Sequence, residues 1–235
     1  MVRVKARVKR LHPELVKDLA SGTDVKKDLR RLEILGVLDV DPLTGSVQVV
    51  PALREILRAE ARTQLRSELP EVYARIARLE LDHGMPVSAL RHATASGDLD
   101  LVTTVITRHW QRFLWDGIIG QAEDILEQVP REQLHRHPVI AGLLGLAANM
   151  DPNRRTRAIA YHTIVAEGAR SLRRTASRSQ RLFLGVLDTS LSRIAGNPEN
   201  LLGRAESAAR TLDQWSAQVA TPESEPLFRT QLAIT

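Results

Sequence analysis

The spacing of apolar residues along this chain changes character once, near Pro70. Ahead of it lies a stretch over residues 24–58 that reads DVKKDLRRLEILGVLDVDPLTGSVQVVPALREILR. Val25, Leu29, Leu32 and Leu35 recur at three- and four-residue spacings, one face of a helix. Gly36 follows in the usual place of a C-terminal glycine. Val37, Leu38 and Val40 enter a short strand. Asp41-Pro42-Leu43-Thr44-Gly45-Ser46 is turn chemistry, with proline setting φ and glycine tolerating a positive one. Val47, Val49 and Val50 form the return strand. Pro51 opens a second helix, at a position where no N–H is needed. That helix is expected to run to about Ser67, with Leu53, Ile56 and Leu57 facing inward.

Upstream, His12 to Ala20 reads as a short helix with Pro13 in its first turn, and Thr23 or Asp24 caps the helix that follows. Residues 1–10 alternate valine or alanine with arginine or lysine, a period of two that by itself predicts a strand. Glu68-Leu69-Pro70 is the expected domain joint. Beyond it no strand signal recurs. Val72, Ile76 and Leu79 form one apolar stripe, ended by His83-Gly84-Met85-Pro86. Val87, Leu90 and Ala93 form the next, ended by Ser96-Gly97. Asp98 then caps a helix bearing Leu99, Val102 and Ile106, giving a tight helical hairpin. Further helices are expected at 118–128, 138–149, 157–173, 180–195 and 198–219. A period of roughly 34–40 residues per pair suits a TPR-like α-solenoid. The expected fold is therefore mainly α. Residues 1–67 would form a winged-helix domain, helices plus a small β-hairpin. Residues 68–235 would form a TPR-like repeat of antiparallel helix pairs.

A chain of 235 residues can bury a proper core in one or two domains. The absence of cysteine excludes disulfides and thiolate chemistry and fits a reducing cytoplasm. No apolar run approaches the ~20 residues of a membrane span, and no leader pattern opens the chain. A cytoplasmic protein without membrane contact is expected. The formal charge of +5 is local in origin. Arg3, Lys5, Arg7, Lys9 and Arg10, unaccompanied by any acid, supply all of it, and the rest of the chain balances. Such a segment can touch phosphates or end as a solvated element.

Chemistry-bearing motifs are absent. There is no phosphate loop ending in Gly-Lys-Ser or Gly-Lys-Thr, no GxGxxG, no HExxH and no GxSxG. No nucleophile, base and acid can be grouped by spacing, so the chain is expected not to be an enzyme and to hold no metal or cofactor. His135 and His137 are the only close histidine pair. On a helix their side chains diverge by about 200°, whereas in a loop before Pro138 they could converge. His83, His92 and His109 fall near helix ends, where an imidazole commonly bonds a carbonyl. Trp110, Arg112 and Trp115 cluster around Phe113, and tryptophan and arginine are favoured at binding hot spots. They are the candidate ligand- or partner-binding residues, with core packing as the alternative for both tryptophans. Arg154, Arg155 and Arg157, with Arg170, Arg173, Arg174, Arg178 and Arg181, form an arginine-rich face. It suits solvent, or an acidic ligand or partner.

The order of motifs also carries a resemblance. LRRLEILGVLDVDP followed by VQVVPALREILR resembles the winged-helix segment of the MalT-like group of large ATP-dependent LuxR-type regulators, bacterial STAND proteins. YARIARLELDHGMPVSALRHATASGDLDLVTTVITRHW and ILEQVPREQLHRHPVIAGLLGLAANM resemble the start of that family's TPR-like domain. The likeness covers roughly residues 10 to 150, and beyond Met150 it fades into generic helical repeat. It implies a fragment from the middle of a transcriptional regulator. The helical arm would bind a small-molecule effector or protein partner, and oligomerisation is compatible with such an arm. The winged helix would relay the event. ATP is implied only for an upstream domain, and DNA is read in that family by a separate C-terminal helix-turn-helix. The family's position would also make residues 1–10 helical or part of a linker. One departure concerns Val50-Pro51, where the family usually has His-Pro and the histidine approaches nucleotide phosphates. Valine cannot donate that bond.

The alternative function is a free-standing winged-helix DNA-binding protein with a helical dimerisation arm. Lys26, Lys27, Arg30 and Arg31 could then reach phosphates or guanine edges. Asp24, Asp28 and Glu33 are interleaved among them, and Asp39 and Asp41 sit on the hairpin. These acids oppose the counterion release that drives duplex binding.

Overall fold

The computed structural model describes residues 25–43 and 46–194, with isolated helical positions at Gly203, Glu206 and Arg210. The expectations for residues 1–24, and for the helix at 198–219 apart from those three positions, lie outside the described residues. Within them the chain is mainly α, with ten α-helices and one early two-stranded antiparallel hairpin. No helix among the described residues is long and apolar enough to cross a membrane.

Helix α1 spans Val25–Ile34. Gly36 has a φ of 67°, a conformation glycine adopts without steric cost. Its N–H reaches the Glu33 carbonyl at 2.9 Å, and the Val37 N–H reaches that of Leu32 at 2.9 Å. These are the paired bonds of a Schellman stop, which satisfies carbonyls the helix leaves open. The chain turns directly into β1 (Leu38–Val40), which pairs with β2 (Val47–Val49) in the register Leu38–Val49, Asp39–Gln48, Val40–Val47. Asp41 Oδ1 accepts the Leu43 N–H at 2.9 Å, an Asx turn that starts the connection. Across the strands Gln48 Nε2 donates to Asp39 Oδ2 at 2.8 Å. Helix α2 (Pro51–Gln64) begins at the proline as expected and ends three residues before Ser67.

The expected inward placement of Ile56 and Leu57 on α2 is corrected, and the apolar stripe of α1 is largely uncovered. Leu29 and Leu53 are half-buried, but Leu32, Leu35, Ile56 and Leu57 are exposed, and so is Ile34 at 78%. No residue of α2 is buried. Periodicity identifies the apolar side of a helix without saying what covers it. Among the described residues of this region only a two-stranded ribbon is at hand, and such a ribbon offers little area.

Beyond Pro70 the described chain is helical throughout: α3 (Leu69–Asp82), α4 (Pro86–Ser96), α5 (Leu99–Trp115), α6 (Ile119–Leu126), the single turn α7 (Arg131–Leu134), α8 (Pro138–Asn149), a 3-10 turn (Pro152–Arg154), α9 (Arg155–Thr175) and α10 (Arg178–Ile194). The turn at α7 was not expected from spacing. Gly84 repeats the arrangement at Gly36, since its N–H bonds the Leu81 carbonyl and the Met85 N–H bonds that of Glu80. Asp98 caps α5 by accepting the Leu101 N–H at 2.9 Å.

One continuous core runs from Ala74 to Leu187. Its centre is α8, PVIAGLLGLAAN, buried at every position from Pro138 to Ala148. A helix that is apolar all round must be enclosed, and α8 packs against α5, α6, α9 and α10. Its small residues permit close approach. A Cβ on Gly142 would overlap Leu187 Cδ1 and lie 3.2 Å from Phe183 Cε1.

Candidate functional site

Of the three residues singled out on α5, Trp110 is 2% exposed, with its ring centroid 5.7 Å from that of Phe183 on α10. Arg112 is exposed and braces the turn between α3 and α4. Its Nη1 donates to the Gly84 carbonyl at 2.8 Å and its Nε to Asp116 Oδ2 at 3.2 Å. The backbone of Trp115 is the last helical residue of α5, and its side chain lies outside the described set. Arg112 therefore acts on the loop of the preceding helical hairpin, on the opposite errand from Trp110.

The histidines divide. His83 Nδ1 donates to the Leu79 carbonyl at 2.7 Å, as its place at a helix end predicts. His109 sits at a break in α5, with φ at −134°. Burial, then the nearby Arg112 guanidinium, lowers its pKa, partly opposed by a hydrogen bond to the Leu81 backbone. His92 bonds a side chain instead, with Nδ1 2.7 Å from Glu80 Oε2. The buried Glu80 also accepts the Ser88 hydroxyl, and Tyr73 stacks on the His92 ring at 5.9 Å. This network ties α3 to α4. His135 and His137 do not converge. Their Nδ1 atoms pair separately, with Glu167 at 3.5 Å and Asp100 at 3.6 Å.

The convergent polar groups lie between α6 and α9. Glu123 and Glu127, one turn apart, face Arg154 and Arg157. Buried Glu123 takes Arg154 in a two-pronged pair, with Nη1 3.0 Å from Oε2. That hydrogen bond is the main reason the Arg154 pKa is raised. Arg157 donates from Nε and Nη2 to Tyr161 Oη at 3.3 and 3.1 Å, and Nη2 also reaches Glu127. The bond to Tyr161 leads the causes that raise the Arg157 pKa. Part of the arginine-rich face is thus engaged rather than solvated. The side chains of Arg170, Arg173, Arg174 and Arg178 lie outside the described set.

Beside this pair opens a cleft of about 370 Å³, bordered by Arg131, Arg157, Glu127 and Tyr161 and by Leu126, Val129, Leu134 and Leu144. A second cleft, about 480 Å³, lies among Asp98, Asp100, Gln133 and His137. Its acids are occupied, Asp98 as cap and partner of Arg78, Asp100 beside His137. In the sequence each side of the α6–α9 pairing carries its own local spacing, though nothing local joins the two sides. Two acids spaced by four and two arginines spaced by three fit facing helices, and the arginines precede Tyr161 by one and two turns. A further buried group, His162 on α9, is fully enclosed against Gly145 of α8, and neither ring nitrogen has a partner. Burial alone lowers its pKa to about 4.

On α1, Lys27, Arg30 and Arg31 are exposed, but so are Asp28 and Glu33, and the Lys26 side chain is outside the described set. Asp39 on the hairpin is spent on Gln48. No protein-family model matches the chain, and no solved structure matches it.

Proposed function

We propose that this chain is a regulatory section of a MalT-like, LuxR-type transcriptional regulator. Residues 25–64 act as a winged-helix relay, and the TPR-like helical arm beyond Pro70 binds an effector or protein partner. The observation that carries the reading is the order of elements: helix, hairpin, helix, then helical hairpins without further strands in the described chain. The apolar stripes exposed on α1 and α2 support it, because a relay needs a surface that repacks when a partner element moves. Coupling requires a ligand with different affinity for two arrangements. The test is hydrogen exchange across residues 25–64 with and without a ligand on the arm. Changed protection there supports the relay, and exchange that changes only around the ligand refutes it.

A second reading, direct duplex binding, draws on the exposed Arg30 and Arg31. A salt titration separates the two. Duplex affinity that falls steeply with salt, and is lost when Lys26, Lys27, Arg30 and Arg31 become alanine, supports DNA binding. Affinity that is weak at low salt and indifferent to these changes supports the relay.

A further inference from the structure

We infer that α2 is a docking surface for an acidic amphipathic helix of a partner. The inference deepens the regulatory reading and rests on it only for what docking does. It starts from two rows of side chains. Leu53, Leu57, Ala61 and Leu65 recur at every fourth position, and so, one residue on, do Arg54, Arg58, Arg62 and Arg66. On a helix such rows run side by side as ridges, so an apolar ridge is bordered by a basic one. The last member of each row lies just past α2, in the turn towards α3. The apolar ridge is open: Leu57 is 40% exposed, Leu65 41%, and Ile56 beside them 65%. Among the described residues no other element packs along α2, and none of its own residues is buried. A helix of 14 residues without such packing is marginal in water.

The charges specify what completes it. Arg54 Nη2 donates to the Val49 carbonyl at 3.0 Å, and Arg58 Nη1 holds Glu55 Oε1 at 2.7 Å. Glu60, the other acid of α2, accepts from the Gln64 amide. Arg62 and Arg66 are exposed and have no hydrogen bond or ion pair among the described residues. The far end of the basic ridge is therefore uncompensated, with four arginines against two glutamates over residues 51–66. A second copy would bring the same excess of arginine to the contact, and like charges across an interface are costly. Duplex DNA would satisfy the arginines but leave Ile56, Leu57 and Leu65 in water. A helix with an apolar ridge beside a row of carboxylates meets both ridges at once. It covers the leucines and gives Arg62 and Arg66 charge-assisted bonds.

The experiment is fluorescence anisotropy of a labelled alanine-based peptide helix, titrated with the whole chain. The peptide carries leucine at every fourth position and glutamate in the neighbouring row. Control peptides carry lysine in place of glutamate, or serine in place of leucine, and a labelled DNA duplex is the third control. Saturable one-to-one binding of the acidic peptide is expected, at least about tenfold tighter than either control peptide. Arg62→Glu with Arg66→Glu should weaken the acidic peptide about tenfold and strengthen the lysine one. Ile56→Ser with Leu57→Ser should weaken both. All four positions are exposed. Urea midpoints show whether each variant remains folded, and either pair of changes decides the matter if the other does not fold. Five results would overturn the inference: no binding of the acidic peptide, equal binding of the lysine peptide, affinity unmoved by the changes, a duplex that binds this face more tightly than the peptide, or sedimentation showing that the chain self-associates through Ile56 and Leu57. Hydrogen exchange of residues 69–187 in saturating peptide tests the relay separately. Arg62-dependent binding that leaves that exchange unchanged keeps the docking surface and removes the relay.

Discussion

Lowering the pH should loosen the helical arm through one residue, His162. The ring is fully enclosed where α9 crosses Gly145 of α8, and its nitrogens have no partner. Desolvation penalises the charged form, so burial alone depresses the pKa from its ordinary 6.5 to about 4. The folded protein thus binds a proton less readily than the unfolded chain. Above pH 6.5 the ring is neutral in both states and contributes no pH dependence. As pH falls from 6.5 towards 4, the unfolded state takes up a proton that the folded state refuses. Stability then drops by about 1.4 kcal/mol per pH unit, about 3 kcal/mol across the window. Below pH 4 both states are protonated and the loss levels off. The assay is urea unfolding at pH 7, 6 and 5 for the native chain and for His162→Leu, so that all other titrating groups cancel in the difference. The variant should be at least as stable at pH 7, because it no longer buries an unpartnered N–H, a cost of about 1–3 kcal/mol. Its stability should fall less by pH 5, by about 2 kcal/mol. Identical pH slopes for the two proteins would refute the reasoning.

Other substitutions test the packing and the networks. Gly142→Ala should cost about 1–3 kcal/mol by urea midpoint, because its Cβ overlaps Leu187; adding Leu187→Ala should cost less than the two changes taken separately, and strict additivity would show the contact is not tight. Glu80→Gln presents an amide N–H₂ to either Ser88 or His92, both donors to the native carboxylate. It should cost about 1–3 kcal/mol, and an unchanged midpoint would show that the bonds are replaceable. Ile34→Ser, at 78% exposure, should change stability by no more than about 0.5 kcal/mol. A larger loss would mean that the α1 stripe is already covered.

Local signals were legible in the sequence wherever a backbone rule acted alone. Gly36, Pro51, Gly97 and Asp98 stand where capping and φ preferences put them, and the hairpin follows the alternation on either side of Asp41. Pro138 and Asn149 were placed to the residue because α8 is bounded by a proline and by a break in an unbroken apolar run. What spacing did not carry was long-range contact. Ile56 has helical periodicity yet faces outward, since periodicity marks a side and not a neighbour. The cleft joins Arg131 and Glu127 to Arg157 and Tyr161 across roughly 30 positions of chain, and no local pattern pairs them. Trp110 has a chemistry that suits a hot spot or a core alike, and the core reading is the one its position on α5 meets, with the ring packed on Phe183.

The enclosure of α8 has a mechanical consequence. In an open stack of repeats each pair leans only on its neighbours, so melting can begin at an end and travel. Here one greasy axle joins an early helix, α5, to a late one, α10, and neither can detach without exposing it. The arm from Ala74 to Leu187 should therefore melt in a single step.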